Sequence, residues 1–117
     1  MPNIIDKIVK EFIMQVKKIL GKRVKKIILY GSYARGDYNE SSDIDIMILT
    51  DLTENEIEKY RNDISDIAFE LELETGFIIS PLIKNIKKYN DRIDIIPFYM
   101  NVNKEGVILD GRKDYCK

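Results

Sequence analysis

Asp43 and Asp45 flank Ile44 at the start of an apolar run, Ile44 to Leu49, and a glycine-serine turn, Gly31-Ser32, follows an earlier apolar run, Val24 to Tyr30. Alternate residues of a strand share one face, so the two carboxylates stand roughly 6.5 to 7 Å apart along the chain, a spacing that can hold divalent cations between them. The Gly-Ser turn lies where a strand ends and backbone amides become free to face a phosphate. Together the two features read as a site for a nucleoside triphosphate.

What the chain lacks narrows the chemistry further. It has no histidine, which removes His-based triads, His-ligated metals and His general bases. The single cysteine, Cys116, allows neither a disulfide nor a cysteine-ligated zinc site within one chain, and fits a reducing, cytoplasmic setting. Any catalysis must use carboxylates, hydroxyls or cations. Nineteen basic and twenty acidic residues give a formal net charge of -1, so no global field draws the chain to nucleic acid or to an anionic membrane. Lys17, Lys18, Lys22, Arg23, Lys25 and Lys26 cluster locally, and a solvated surface explains such a run better than an RNA site. No stretch approaches the roughly 20 apolar residues needed to span a bilayer.

The elements that must position the site can be traced from periodicity. Ile4, Ile5, Ile8, Val9, Phe12, Ile13, Val16 and Leu20 recur at helical spacing and predict an amphipathic helix over 3–20, closed by Gly21. Strands are expected over 24–30 and 43–50, with a turn and a short helical piece over 31–36 and an exposed polar connection over 37–42. Thr53 followed by Glu56 matches a reciprocal helix-capping pattern, and Ile57, Tyr60, Ile64, Ile67, Ala68 and Leu71 carry the helix on to about residue 74, before Gly76. Phe77 to Ile83 reads as a third strand, with Pro81 pointing to an edge or a bulge. Residues 84–94 are polar and poorly patterned. Pro97 can start a helix running to about Lys104, and Gly106 to Leu109 can add a last short strand. The 117 residues form one expected domain, 1–117, too small to carry a dedicated substrate domain, so whatever it modifies arrives as a separate molecule.

The order of strand, Gly-Ser turn, basic residue, loop and strand bearing Asp-x-Asp, here GSYARGDYNESSDIDIMIL over residues 31–49, resembles the nucleotidyltransferase superfamily that includes DNA polymerase beta. The Arg35-Gly36 step and Ser42 before the first aspartate bring the match close to the minimal nucleotidyltransferases, small stand-alone domains. The specific match covers residues 28–49. It implies an α+β fold: a small mixed β-sheet of three to four strands with helices packed on one face.

Each part of the motif has a physical role in that resemblance. Amides after Gly31 and the Ser32 hydroxyl can donate to phosphate oxygens, and glycine lets the backbone approach without a clash. Arg35 can place a permanent planar cation on a phosphate as pyrophosphate leaves. Gly31, Ser32, Arg35 and Ser42 are therefore the expected nucleotide-binding residues, and Asp43 and Asp45 the expected catalytic and metal-binding pair for Mg²⁺. A Walker-type loop is excluded because no Gly-Lys-Ser/Thr occurs, and a calcium loop fails because Ile48 holds the position that demands glycine. Tyr33 and Tyr38 can stack on a base or pack on the protein. Phe69 and Leu73 lie off the main stripe of their helix and point to a second buried face or a partner surface.

The family pattern usually includes a third aspartate on a neighbouring strand. Ser80 stands where it is expected, and Asp94 is a distant substitute. The resemblance implies Mg²⁺-dependent transfer of AMP, or another nucleoside monophosphate, from ATP to a hydroxyl of a partner, typically a small helical protein of the HEPN type in a toxin–antitoxin pair, with this chain as the antitoxin. The alternative is a catalytically weak or inactive nucleotide-binding module that neutralises its partner by complex formation. Membrane attachment and direct nucleic-acid binding are not expected, and assembly with itself or with a partner stays open.

Overall fold

The computed structural model describes residues 3–111; Cys116 lies outside the described residues. Helix α1, Asn3–Leu20, buries Ile5, Ile8, Val9, Phe12, Val16 and Leu20, the three-to-four spacing expected of one helical face. A 3-10 turn over Gly21–Arg23 leads into β1, Val24–Tyr30, and a single helical turn, α2, Ser32–Arg35, follows it. Strand β2, Ile44–Thr50, starts one residue after Asp43. Helix α3, Glu54–Thr75, carries the capping box read from the sequence: the Glu56 amide donates to Thr53 Oγ1 at 3.2 Å and the Thr53 amide to Glu56 Oε1 at 3.0 Å. It ends at Gly76, whose φ of 81° is left-handed.

Strand β3 covers Ile79–Asn85, two residues later than the apolar run suggests. Two short helices, α4 over Ile86–Arg92 and α5 over Pro97–Glu105, then precede β4, Val107–Gly111. Helix α4 occupies the stretch that looked unpatterned. Asn85 caps it, accepting from the Lys88 amide at 3.0 Å, and it inserts only Tyr89 fully into the core, too little apolar content in seven residues to give a periodic signal.

The four strands form a mixed sheet in the order β3-β2-β1-β4. β1 runs antiparallel to β2 and β4, and β3 is parallel to β2, joined to it by the α3 crossover. Pro81 thus falls in an edge strand, where a missing amide is tolerated. The two long helices pack on one face, against Ile27, Leu29, Ile44, Ile46, Ile48, Ile79 and Ile83. The expectation of helices on one face holds for these two and fails for the short pair. Ile28, Met47 and Leu49 on the opposite face form a second cluster with Tyr89 of α4 and Val102 of α5. Continuous burial of Ile46 to Leu49 has this cause, because a strand covered on both sides loses its polar alternation.

Three members of the basic run near α1 form ion pairs with described residues. Lys17 meets Asp110, Lys25 meets Asp51, and Arg23 bridges Asp51 and Glu56. Phe69 and Leu73 stand 56% and 69% exposed on α3, so no second buried face claims them.

Candidate active site

Gly31 closes β1 with φ 74° and ψ -155°, a conformation open to glycine and strained for other residues. Space imposes the same choice: a Cβ built there would lie 2.3 Å from Asp45 Oδ2. The second aspartate therefore rests directly against the turn. Tyr30 and Asp45 are cross-strand partners, so the end of β1 and the start of β2 hold the turn and the carboxylate in register. Ala34 and Arg35 direct their amides to Gly31 O, leaving those of Ser32 and Tyr33 as the first-turn donors of α2.

A cavity of about 370 Å³ opens at this point. Tyr30, Gly31, Ser32 and Arg35 line it from the β1–α2 junction and Asp45 from β2, while α5 adds Phe98, Asn101, Val102 and Glu105. Burial, then the neighbouring Asp43 charge, pushes the Asp45 carboxyl above its ordinary range, and Arg35 works in the opposite direction. Burial and the Asp45 charge raise the Tyr30 hydroxyl to about 12, which keeps it protonated at neutral pH. Arg35 Nη1 donates to Glu105 Oε1 at 3.0 Å and its Nε to Asp37 Oδ2 at 3.2 Å, and these bonds hold the guanidinium firmly charged.

Asp43 is exposed and lies outside the lining of this cavity, one residue before β2. Ser80 Oγ donates to Asp43 Oδ2 at 3.1 Å, and Ser80 is also the register partner of Asp45 on the parallel strand. Ser80 thus occupies the place where a third carboxylate was sought. Asp94 sits exposed in the turn between α4 and α5 and lines none of the cavity. Among the described residues, no three carboxylate, histidine or cysteine side chains are grouped to hold a metal ion.

Two carboxylates at alternate positions, Asp45 raised first by its burial and then by the Asp43 charge, form an unbalanced pair that a hard divalent cation would relieve, so the donor set fits Mg²⁺ chemistry. Ser42 is placed differently. Its amide donates to Asn39 O and its hydroxyl accepts from the Asn39 amide at 2.9 Å, closing the loop rather than facing the cavity. Tyr33 is buried and stacks on Tyr38, ring centroids 4.4 Å apart, so the two rings pack on each other.

The contribution of α5 was the part that sequence reasoning missed. Phe98, Asn101, Val102 and Glu105 follow three- and four-residue spacing along one helical face, and two polar members in that stripe were the available signal. Gly106 seats the helix, because a Cβ there would meet Val102 O at 2.4 Å and Ile28 Cγ2 at 2.5 Å.

Comparison with known proteins gives a consistent result. A family model described as a nucleotidyltransferase domain matches residues 9–107. A candidate protein adenylyltransferase of Methanocaldococcus jannaschii is 38% identical over 104 residues, covering 89% of this chain and 96% of its own length. A candidate nucleotidyltransferase structure from Sulfolobus solfataricus superposes with a TM-score of 0.61 at 20% identity, over 92% of this chain and 81% of that one. A toxin–antitoxin crystal structure with AMP-PNP gives 0.57 at 20% identity, over 89% of this chain and 74% of that one.

Proposed function

The chain belongs to the nucleotidyltransferase-domain family, in its minimal, polymerase beta-like branch, and from that premise we propose that it transfers AMP from ATP to a hydroxyl group of a partner protein. One observation carries this reading: the Gly31-Ser32 turn, Arg35 and Asp45 line a single cavity, so phosphate donors, a cation and a metal-ligating carboxylate converge.

In this mechanism the Ser32 and Tyr33 amides and the Ser32 hydroxyl bind the terminal phosphates, and Arg35 takes up negative charge as pyrophosphate departs. Asp43 and Asp45 would hold Mg²⁺, which supplies charge neutralisation at the phosphates. The acceptor oxygen attacks the alpha-phosphorus in line, the bond to the bridging oxygen breaks, and the hydroxyl proton must leave. Ser80 stands beside Asp43 as a hydrogen-bond donor, and a serine is no base at neutral pH. Transfer is accordingly slow, with the proton passing to solvent or to Asp43.

The partner proposed is a helical toxin of the HEPN type, with this chain as its cytoplasmic antitoxin. Its support is the fold shared with a toxin–antitoxin structure with AMP-PNP. No described helix is long and apolar enough to cross a membrane. Ser80 also favours a second reading, in which the domain binds nucleotide and neutralises its partner by association alone.

Incubating the protein with ATP, Mg²⁺ and the product of the adjacent gene, then measuring the partner's mass, separates the two. A nucleotide adduct that disappears with Asp43→Ala or Asp45→Ala protein, at unchanged melting temperature, is the expected result. Association with the Asp43→Ala protein, with no adduct formed by the wild type, would leave only the binding reading.

A further inference from the structure

Lys84, Lys88 and Arg92 converge on a second cavity, of about 230 Å³, between the end of β3, α4 and the start of α5. Lys84 lies on the sheet face that carries Asp45 and Ser80, since the register pairs Asp45 with Ser80, Met47 with Leu82 and Leu49 with Lys84. Four residues of strand separate Ser80 from Lys84, about 13 Å. The first turn of α5 divides the two cavities: Phe98 faces the one with Asp45, and Ile96 and Tyr99 face the other.

The charges in this second cavity do not balance. Glu54 is the one carboxylate in its lining, and it is bonded to Lys88 at 2.9 Å. Neither Lys84 nor Arg92 has a carboxylate within ion-pair distance among the described residues. The bond to Lys88 holds the Glu54 carboxyl below its ordinary range against a small opposing effect of burial, and the charges of Lys88, Lys84 and Arg61 add to the lowering. This contrasts with Lys17, Arg23 and Lys25 near α1, which have Asp110, Asp51 and Glu56 as partners.

We propose that this basic cavity is a docking site for an acidic segment of the acceptor protein, held about 13 Å from the transfer site so that the acceptor hydroxyl reaches Asp43 and Asp45. The inference rests on the reading that the acceptor is a protein. A carboxylate-bearing chain suits the site because Lys84 and Arg92, without an ion-pair partner among the described residues, sit on separate elements beside the Tyr99 ring and Ile96, a lining that can take side-chain stems as well as charges.

Fluorescence anisotropy with three probes tests it: a tyrosine-containing peptide rich in Asp and Glu, its Asn/Gln counterpart, and a single-stranded oligonucleotide of the same charge. The acidic peptide should bind the wild type best. Lys84→Glu/Arg92→Glu should weaken it about tenfold or more, with Lys84→Gln/Arg92→Gln in between and Lys18→Glu/Lys22→Glu without effect. Equal binding of the amide peptide, equal loss in the Lys18/Lys22 variant, or tighter binding of the oligonucleotide would each overturn the proposal. Binding of a fluorescent ATP analogue with Mg²⁺ is measured on the same proteins. Its loss in wild type would sink the nucleotide reading alone, because peptide docking has a separate readout.

Discussion

Two arginine forks in this domain are built alike and stand in opposite circumstances. Arg23, at the start of β1, donates to Asp51 and Glu56; Arg35, past the end of the same strand, donates to Asp37 and Glu105. Both are solvent-accessible and both serve two carboxylates. Around Arg23 everything is already committed: Glu56 also completes the α3 capping box, and Arg23 reaches the Asp51 carbonyl. Around Arg35 the space is open, with a cavity, first-turn amides and the raised Asp45 carboxyl beside it. The same ion-pair chemistry is a fastening where its surroundings are satisfied, and beside the open cavity it suits the binding role proposed for Arg35.

Removing the two guanidinium groups separately should break the likeness most sharply. Arg35→Ala is expected to lower AMP transfer about a hundredfold, as loss of one charge-stabilising group at a phosphoryl site does, with little change in melting temperature. Arg23→Ala should show the reverse, a melting temperature lower by a few degrees and transfer within a factor of about two. If both variants lose activity equally, the distinction drawn from their surroundings is wrong.

A middle-sized effect is expected at the turn beside Arg35. Gly31→Ala adds both a left-handed strain and a 2.3 Å contact with Asp45 Oδ2, and should destabilise the domain by about 1–3 kcal/mol while displacing the carboxylate. Urea unfolding and ATP-analogue binding on one sample would report both; Gly36→Ala, at a left-handed position with open space around it, should affect stability only.

The smallest effect belongs to pH. Hydrogen bonds from Arg23, then from the Thr53 amide, depress Glu56 to about 2 from an ordinary 4.5. A depressed carboxyl contributes stability that is complete above its unfolded value and is lost as pH falls toward its folded one. Melting temperature should therefore decline between pH 4.5 and about 2, and Glu56→Gln should flatten part of that decline, modestly because the group is exposed. A decline equally steep in the variant would assign it to other carboxylates.

The sequence disclosed best what depends on neighbours along the chain. Val24 to Tyr30, the Gly31-Ser32 turn and the Asp43/Asp45 alternation are local patterns, and the strand–turn–strand they encode forms as expected. The Thr53–Glu56 capping box is equally local. Harder to foresee was everything that arrives from a distance. Helix α4 contributes one fully buried side chain, Tyr89, and so leaves no periodic trace. The α5 wall of the cavity required knowing that Gly106 lets residues 98–105 press against β1. Ser42, read as part of the nucleotide motif, spends its hydroxyl on Asn39, a bond set by loop geometry that residue type alone does not reveal.

The bond between Arg35 and Glu105 joins residues 70 apart in the chain. During folding, the β1–β2 hairpin can present the turn and both aspartates early, because its contacts are close in sequence, whereas closure by α5 must wait for the intervening crossover and β3 to find their places. Synthesis imposes the same order, since residues 31–45 leave the ribosome well before residue 105. The half of the cavity built by Gly31 and Asp45 is thus the older half in the life of each molecule, and the α5 wall is the part added last.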